Sequence, residues 1–570
     1  MTIPGILGIV LFTAVAVAIA KPVGLYLYAV FNDGRTWLDP VMRPLEKRIY
    51  RWTGVNPAQE MRWTQYFLAI LAFNLVGFVV LYIFLRIQAG LPFNPQHLKD
   101  VGPHLSFNTA VSFMTNTNWQ AYGGEFTMSY VSQTMLVVQQ VLSPITGLAI
   151  VVAFIRGFTR RSGSNLGNFW VDLVRAVLWV MLPVSLISAV VLVALGTPQN
   201  WMPYVTAHPL QGGTQTIAQG PVAGMTAPMQ FGDNGGGFFN MNAGQPYEAA
   251  SAASLLFQSL LGVAVPVGLT YYFGKAVKDT RQGWIILSAM VVMFLVGVFI
   301  VYHAEAVGNP LIHRLGVRGP NMEGKEVRFG PALSSLFETL TTAVSWGSTA
   351  AANDSLMPLS ALVLMFNMKS GEVIIGAWGV GLIGMLAFAI LAVFLAGLMV
   401  GRTPEYLGKK IQSFEVKMAV LAMIAPTFVV LGFAGWAVST KGGLAGIFNP
   451  GPQGLGEVLY AYASGVGNNG SAMGGLGAAL PFYTWTVGLA MLLGRFAQYI
   501  PALAIAGSVI EKKTVPPSAG TFPTNTWLFG VLLIVTVVIV GALVFFPALA
   551  LAPLAEHFAL WAGHVFGGGS

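Results

Sequence analysis

Long apolar segments run through this sequence and leave few folds open to it. Each is about 20 residues or longer, the length that an α-helix needs to cross the hydrocarbon core of a bilayer. The sequence predicts about ten such spans, the seventh of them interrupted. Their approximate bounds are 3–29, 66–86, 130–156, 171–196, 248–274, 284–303, 356–400, 417–438, 479–510 and 526–548. We therefore predict an all-α integral membrane protein with a single membrane domain.

Composition excludes several other classes of protein. Charged residues make up 9% of the chain, whereas a soluble protein carries roughly 25%. The net charge of +8 does not indicate nucleic acid, because Lys and Arg gather in short loops beside the spans and form no basic face with interleaved aromatic residues. The absence of cysteine excludes disulfides, thiolate metal sites and cysteine nucleophiles.

The loops between the spans alternate between two kinds. Basic loops follow the odd-numbered spans, and the positive-inside rule places them in the cytoplasm, with both chain termini on the outer side. The other four loops are longer, and three of them are poorer in cations, with no Lys or Arg in the one over 197–247. The loop over 304–355 is the exception, with Arg314, Arg318, Lys325 and Arg328, and its length weakens the rule. The basic loops hold Arg35, Arg43, Lys47, Arg48 and Arg51; Arg156, Arg160 and Arg161; Lys275, Lys278 and Arg281; Arg402, Lys409 and Lys410; and Lys512 and Lys513.

The four outer loops share a pattern in which a short, weakly amphipathic segment leads into a polar Gly/Asn/Ser/Thr stretch and then into the next span. The polar stretches are TNTNWQAYGGE, DNGGGFFNMN, WGSTAAAND and NNGSAMGGLG. Internal symmetry of this sort is typical of transport proteins. It predicts four pseudo-symmetric helix–pore loop–helix repeats, with an extra first helix (1–29) and an extra last helix (526–548). The repeats would cover 66–156, 171–274, 284–400 and 417–510.

The chemistry of these loops favours a cation filter. Non-helical backbone at membrane depth is tolerated only where it is buried in protein or lines a watery cavity. A ring of backbone carbonyl oxygens can replace the hydration shell of a potassium ion, and glycine lets such carbonyls point inward. A phosphate loop is excluded at 231–242, because no Lys-Ser or Lys-Thr follows the glycines. The residues alone leave open a transporter for small organic solutes.

Ionisable residues in the apolar segments are candidates for a gate or pathway. The seventh segment is too long for one straight span, and Lys369 and Glu372 interrupt it. An ordinary turn there would put the loop of Arg402 outside, so we expect one crossing with a break. Charges at such depth usually mark a pathway or an ion pair, although interfacial snorkelling is equally open for this pair. Arg402 is readily explained as a positive-inside anchor, whereas Arg495 lies within an apolar span and is harder to explain in that way.

Four motifs, SFMTNTNWQAYGGE, NGGGFFNMN, GRTPEYLGKK and GNNGSAMGGL, occur in this order. Over essentially the whole chain they resemble KdpA, the family of potassium-transporting ATPase A subunits of bacteria. The resemblance implies a fold from the superfamily of potassium transporters and a place in the cell inner membrane. It implies filter positions at Asn116, Thr117, Asn118, Asn234, Gly235, Trp346, Gly347, Asn468, Asn469 and Gly470, with Gln120 and Asp233 beside the filter and Arg402 near the gate.

The same resemblance implies a non-hydrolysing subunit that captures external potassium and passes it to a P-type ATPase subunit, KdpB, in a complex with KdpC and the small KdpF. Potassium would be the transported ion, ATP would be used by the partner, and no organic cofactor or nucleic acid is expected. The sequence agrees, since it has neither a DKTGT phosphorylation motif nor a Walker A lysine motif. A stand-alone Trk/Ktr-type transporter is the alternative, and a membrane-embedded enzyme would need a catalytic cluster that the sequence lacks.

Two residues depart from what the resemblance leads us to expect. Asp233 precedes Asn234 where a neutral residue is more usual, and its carboxylate would either strengthen cation attraction or pair elsewhere. Trp346 is bulky for the residue before a filter glycine, so its ring should point out of the pore.

Overall fold

The computed structural model describes residues 1–160, 163–399, 401, 404–516 and 521–566. In these ranges ten helices are long and apolar enough to cross a membrane, which confirms the predicted fold class. They are Ile3–Phe31, Trp63–Arg86, Tyr130–Thr159, Phe169–Ala194, Ala252–Ala276, Thr280–Arg314, Val380–Met399, Ser413–Ser439, Pro481–Glu511 and Trp527–Ala562.

Short elements fill the connections between the spans. The first basic loop forms an amphipathic helix, Asp39–Thr53, that the apolar segments did not predict. Three antiparallel pairs of very short strands occur in the described part of the chain: Met61–Arg62 with Asn165–Gly167, Val205–Ala207 with Gln215–Ile217, and Glu405–Tyr406 with Lys409–Lys410. Further short helical segments are Gln88–Gly90, Gly124–Thr127, Asn242–Gly244, Asn353–Ser355 and Lys441–Leu444.

A short buried helix precedes the third, fifth, seventh and ninth spans, and we call these the four pore helices after the predicted helix–pore loop–helix repeats. The first, third and fourth begin with proline in their first turn, where its missing N–H would have no partner in the helix anyway. Nearly every residue in the second half of each is buried, so these helices lie inside the protein. Their bounds are Pro103–Met114, Val222–Phe231, Gly330–Ala343 and Gly451–Gly467.

The seventh span is broken where the sequence predicts it. A helix, Pro358–Lys369, is followed by irregular chain over 370–379 and then by Val380–Met399. Glu372 in the break has a φ of 52°, in the left-handed region. The N–H groups of Ile375 and Gly376 donate to the carbonyl oxygen of Ala343 at 3.1 and 2.9 Å. The break is therefore attached to the last residue of the third pore helix.

A buried ion pair ties the third span to the fourth. Arg156 Nη1 and Nη2 donate to Asp172 Oδ2 and Oδ1 at 2.6 and 2.7 Å, and Tyr66 Oη donates to Asp172 Oδ2 at 2.9 Å. The Asp172 side chain is 1% exposed. Because the aspartate accepts all three of these bonds, the second and third spans both depend on it.

We expect Asp172→Asn to destabilise the folded chain by about 3–5 kcal/mol, because it leaves the guanidinium of Arg156 without its buried counter-charge. The matched control is Glu60→Gln, which breaks the Arg160–Glu60 ion pair of 2.7 Å, whose side chains are 34% and 40% exposed. That change should cost about 0–1 kcal/mol. Unfolding titrations of both variants in mixed detergent measure the two changes in the free energy of unfolding. Equal losses would contradict a stabilising role for the buried Arg156–Asp172 ion pair.

Candidate functional site

The chain leaves all four pore helices through the same turn. In each, one residue takes a left-handed conformation, and the N–H of the next donates to the carbonyl oxygen five positions earlier. The left-handed residues are Asn116, Asp233, Ser345 and Asn468, with φ of 60°, 51°, 59° and 60°. The hydrogen bonds run from Thr117 to Ser112, Asn234 to Met229, Trp346 to Thr341 and Asn469 to Ser464, at 2.9, 2.9, 2.9 and 2.8 Å. This shared geometry fixes the register of the four loops against one another.

If the left-handed residue is counted as the first of each turn, the third residue lies where the loops meet. These residues are Asn118, Gly235, Gly347 and Gly470. A Cβ added to Gly470 would lie 2.1 Å from the carbonyl oxygen of Thr117, and one added to Gly347 would lie 2.1 Å from that of Asn469. A Cβ on Gly235 would come within 2.8 Å of both oxygens. The close approach of backbone carbonyls therefore requires glycine here.

Side chains of the loops hold neighbouring loops together. Asn118 Nδ2 donates to Asn234 Oδ1 at 2.6 Å, which joins the first loop to the second. Asn468 Nδ2 donates to Thr117 Oγ1 at 2.8 Å, which joins the fourth loop to the first. Ser345 Oγ donates to the carbonyl oxygen of Asn468 at 3.2 Å, which joins the third loop to the fourth. All ten predicted filter residues lie in this cluster of loops.

Residues beside the loops fix the backbone of the second. Gln120 Nε2 donates to the carbonyl oxygen of Gly237 at 2.9 Å, and Gln120 Oε1 accepts from the N–H of Gly237 at 3.2 Å. Gln140, which the sequence did not single out, donates to the carbonyl oxygen of Gly236 at 2.6 Å. The ring of Trp346 packs on Phe337, with ring centres 4.7 Å apart, and against Gly262 of the fifth span.

A cavity of about 620 Å³ opens at one end of the loop cluster. Its lining includes Gly235, Gly347 and Gly470 together with Gln120 and Asp354. The glycines at the junction therefore border a space large enough for a hydrated ion.

A buried carboxylate, that of Glu248, contacts the chain that follows the second loop. Glu248 Oε2 accepts from the N–H of Phe239 at 3.4 Å, and burial raises the pKa of this carboxyl group to about 8. At neutral pH the group is therefore mostly protonated, and it adds little negative charge beside the loops.

The ionisable residues singled out from the sequence divide between two places. Arg495 Nε donates to the carbonyl oxygen of Thr115 at 2.5 Å, so this guanidinium holds the turn of the first loop. The carboxylate of Glu372 lies against Gly467, with Cδ 3.3 Å from the position of an added Cβ. Lys369 Nζ instead lies 5.6 Å from the ring centre of Phe545, with no hydrogen-bond partner among the described residues. Arg402 lies outside the described residues.

Ser345 was missed by sequence reasoning, although it takes the same left-handed place as Asn116, Asp233 and Asn468. The sequence did contain a signal for it. Ser345 lies two residues before Gly347, as Asp233 lies two before Gly235 and Asn468 two before Gly470. In the first loop that third position is an asparagine rather than a glycine, which hid the alignment.

Ten spans and four re-entrant loops that meet at one place define a polytopic membrane protein built around a loop cluster. Residues 10–558 match the family described as KdpA, potassium-transporting ATPase A subunit, and the chain belongs to this family. The resemblance drawn from the motifs is thereby confirmed.

Relatives align with the chain from end to end. A protein of Rhodospirillum centenum is 53% identical over 570 residues and all of both chains, and one of Mesorhizobium japonicum is 52% identical over 99% of this chain and 100% of its own. Both are named potassium-transporting ATPase potassium-binding subunit. The crystal structure of the potassium transporter TrkH from Vibrio parahaemolyticus is similar in fold, with a TM-score of 0.50, 16% identity, and coverage of 87% of this chain and 95% of that one.

Proposed function

We propose that the chain is the potassium-binding and translocating subunit of a high-affinity, ATP-driven potassium uptake pump. The observation that carries this proposal is the crowding of the Thr117 and Asn469 carbonyl oxygens around three glycines that leave no room for a side chain. Such oxygens can stand in for the hydration shell of a potassium ion. The names of the full-length relatives support the same function.

The proposed filter consists of four pseudo-symmetric loops, one from each helix–pore loop–helix repeat. In it, backbone carbonyls bind the ion, while the amides of Asn118, Asn468 and Gln120 hold neighbouring loops at fixed distances. Asp233 is the one acidic residue within the four turns, so the ion meets mainly dipoles rather than full charges. That suits a monovalent cation that must leave as well as bind.

Energy for uptake comes, in this proposal, from a partner. The chain carries no DKTGT or Walker A motif, so a P-type ATPase subunit (KdpB) would hydrolyse ATP, in a complex that also holds KdpC and KdpF. Potassium would enter from outside a bacterial inner membrane, with both chain termini on the outer side, as the basic loops indicate. Below the filter it would turn towards the ATPase, past the candidate gate residues Lys369, Glu372, Arg402 and Arg495.

We expect the affinity-tagged chain to co-purify with a P-type ATPase subunit from the native membrane. Proteoliposomes holding both should accumulate potassium only with ATP, whereas the chain alone should show no sustained uptake. A chain that purifies alone and conducts potassium down its gradient at physiological rates would contradict the pump. It would favour the stand-alone Trk/Ktr-type transporter instead.

A further inference from the structure

Asp233 is a buried carboxylate that the fold leaves without a hydrogen-bond donor. It is 0% exposed, and neither Oδ1 nor Oδ2 has a hydrogen-bond partner among the described residues. Asn116, at the same place in the first loop, differs in that its Oδ1 accepts from Ser143 Oγ at 2.8 Å. Burying a carboxylate without a partner is expensive, so such a group takes up a proton or a cation.

A second buried carboxylate, that of Glu372, lies near enough to Asp233 for their charges to interact. Glu372 lies in the break of the seventh span, is 2% exposed, and interacts electrostatically with Asp233. Its Oε1 also lacks a hydrogen-bond partner in the part of the chain that the structure describes. The same holds for Oδ1 of Asn468, at the left-handed place of the fourth loop. Buried oxygen atoms without a hydrogen-bond partner are therefore found in three separate segments: the second loop, the break in the seventh span and the fourth loop.

With both carboxylates deprotonated around a cation, Asp233, Glu372 and Arg495 together carry one negative charge. Arg495 is the cation that interacts with Glu372, and its hydrogen bonds go to the carbonyl oxygen of Thr115. In that state the two carboxylates and the one guanidinium leave an excess of a single negative charge in a buried region. A monovalent cation cancels that excess, whereas a divalent cation would leave a buried positive charge uncompensated.

We propose that Asp233 and Glu372 hold a dehydrated monovalent cation beside the left-handed turns of the four loops, as a binding site separate from the carbonyl filter. The candidate ligand atoms are all oxygens, which suits an alkali cation such as potassium. Transition metals favour nitrogen and sulfur ligands instead. The inference rests on the proposed function, since the ion reaches this place through the filter. It gives Asp233 a role that its neutral neighbours in the other turns cannot fill.

Anomalous X-ray diffraction from crystals of the full-length chain grown in rubidium chloride tests the inference. We expect rubidium peaks among the carbonyls of the four loops and one further peak within coordination distance of the Asp233 and Glu372 carboxylates. Asp233→Asn keeps the size of the side chain and should remove this further peak alone. Equilibrium binding of rubidium to the purified chain should then fall by one ion per chain.

The matched control is Asp33→Asn. Asp33 also has a left-handed φ, of 55°, but lies in the first basic loop with its side chain 78% exposed, so its replacement should leave every rubidium peak in place. Filter peaks without the further peak in the wild-type chain would overturn this inference and leave the proposed function standing. A further peak that persists in Asp233→Asn would remove Asp233 from the site. The absence of all rubidium peaks from the four loops would overturn the inference and the proposed function together.

Discussion

Replacing Gly470 by alanine is expected to weaken potassium binding by at least about tenfold, which corresponds to about 1.4 kcal/mol. Gly470 has a φ of 112°, where an alanine is strained by about 1–3 kcal/mol. The added Cβ would also lie 2.1 Å from the Thr117 carbonyl oxygen, so that carbonyl must move. Because Gly235 Cα lies 2.8 Å from the same Cβ position, the second loop is displaced as well.

Competition of potassium against radioactive rubidium on the purified variant measures this loss, and discrimination against larger cations should fall with it. The control is Gly432→Ala, the same substitution on an exposed face of the eighth span, where an added Cβ meets no atom within 4 Å. Its binding should match that of the wild-type chain. Wild-type affinity and selectivity in Gly470→Ala would remove this residue from the ion-binding loops.

Replacing Glu372 by glutamine is expected to lower the maximal rate of potassium uptake at least about tenfold, with the half-saturating concentration changed by less than about threefold. The reason for this expectation is the position of the carboxylate at the end of the fourth pore helix rather than at the glycine-lined junction. The Glu372 carboxylate lies against Gly467 at the end of the fourth pore helix and interacts with Arg495, which holds the turn of the first loop. Its negative charge would stabilise a cation leaving the loops, whereas the glycine-lined junction that is proposed to capture the ion stays intact.

Uptake by proteoliposomes that hold the complete ATPase complex separates the two parameters. The control is Glu326→Gln, which removes the same charge from an ion pair with Arg328, where the glutamate side chain is 39% exposed. That variant should transport normally. A wild-type maximal rate in Glu372→Gln would leave this glutamate as a structural residue of the break.

The spans could be predicted from the sequence because the bilayer imposes a length and an apolar composition that each segment shows by itself. The break in the seventh span could be predicted for the same reason, since Lys369 and Glu372 interrupt a run too long for one crossing. The helix Asp39–Thr53 could not, because it is amphipathic and lies outside the apolar segments.

The register of the loops depends on a backbone conformation that the residue types do not display. Asn118 occupies the place that glycine fills in the other loops, and Ser345 occupies the place of Asn116 and Asp233. The left-handed residue and the shared hydrogen bond to the fifth preceding residue show these equivalences. The surroundings of the Asp233 carboxylate likewise depend on a distant segment, since Glu372, which interacts with it, comes from the break in the seventh span.

Competition between potassium and sodium for the purified wild-type chain tests the central claim, a potassium-selective filter formed by four loops, most directly. With bound radioactive rubidium as the probe, potassium should displace it at a concentration at least about a hundredfold lower than sodium does, a difference of about 2.7 kcal/mol. Equal displacement by the two ions, or no saturable rubidium binding, would contradict the claim.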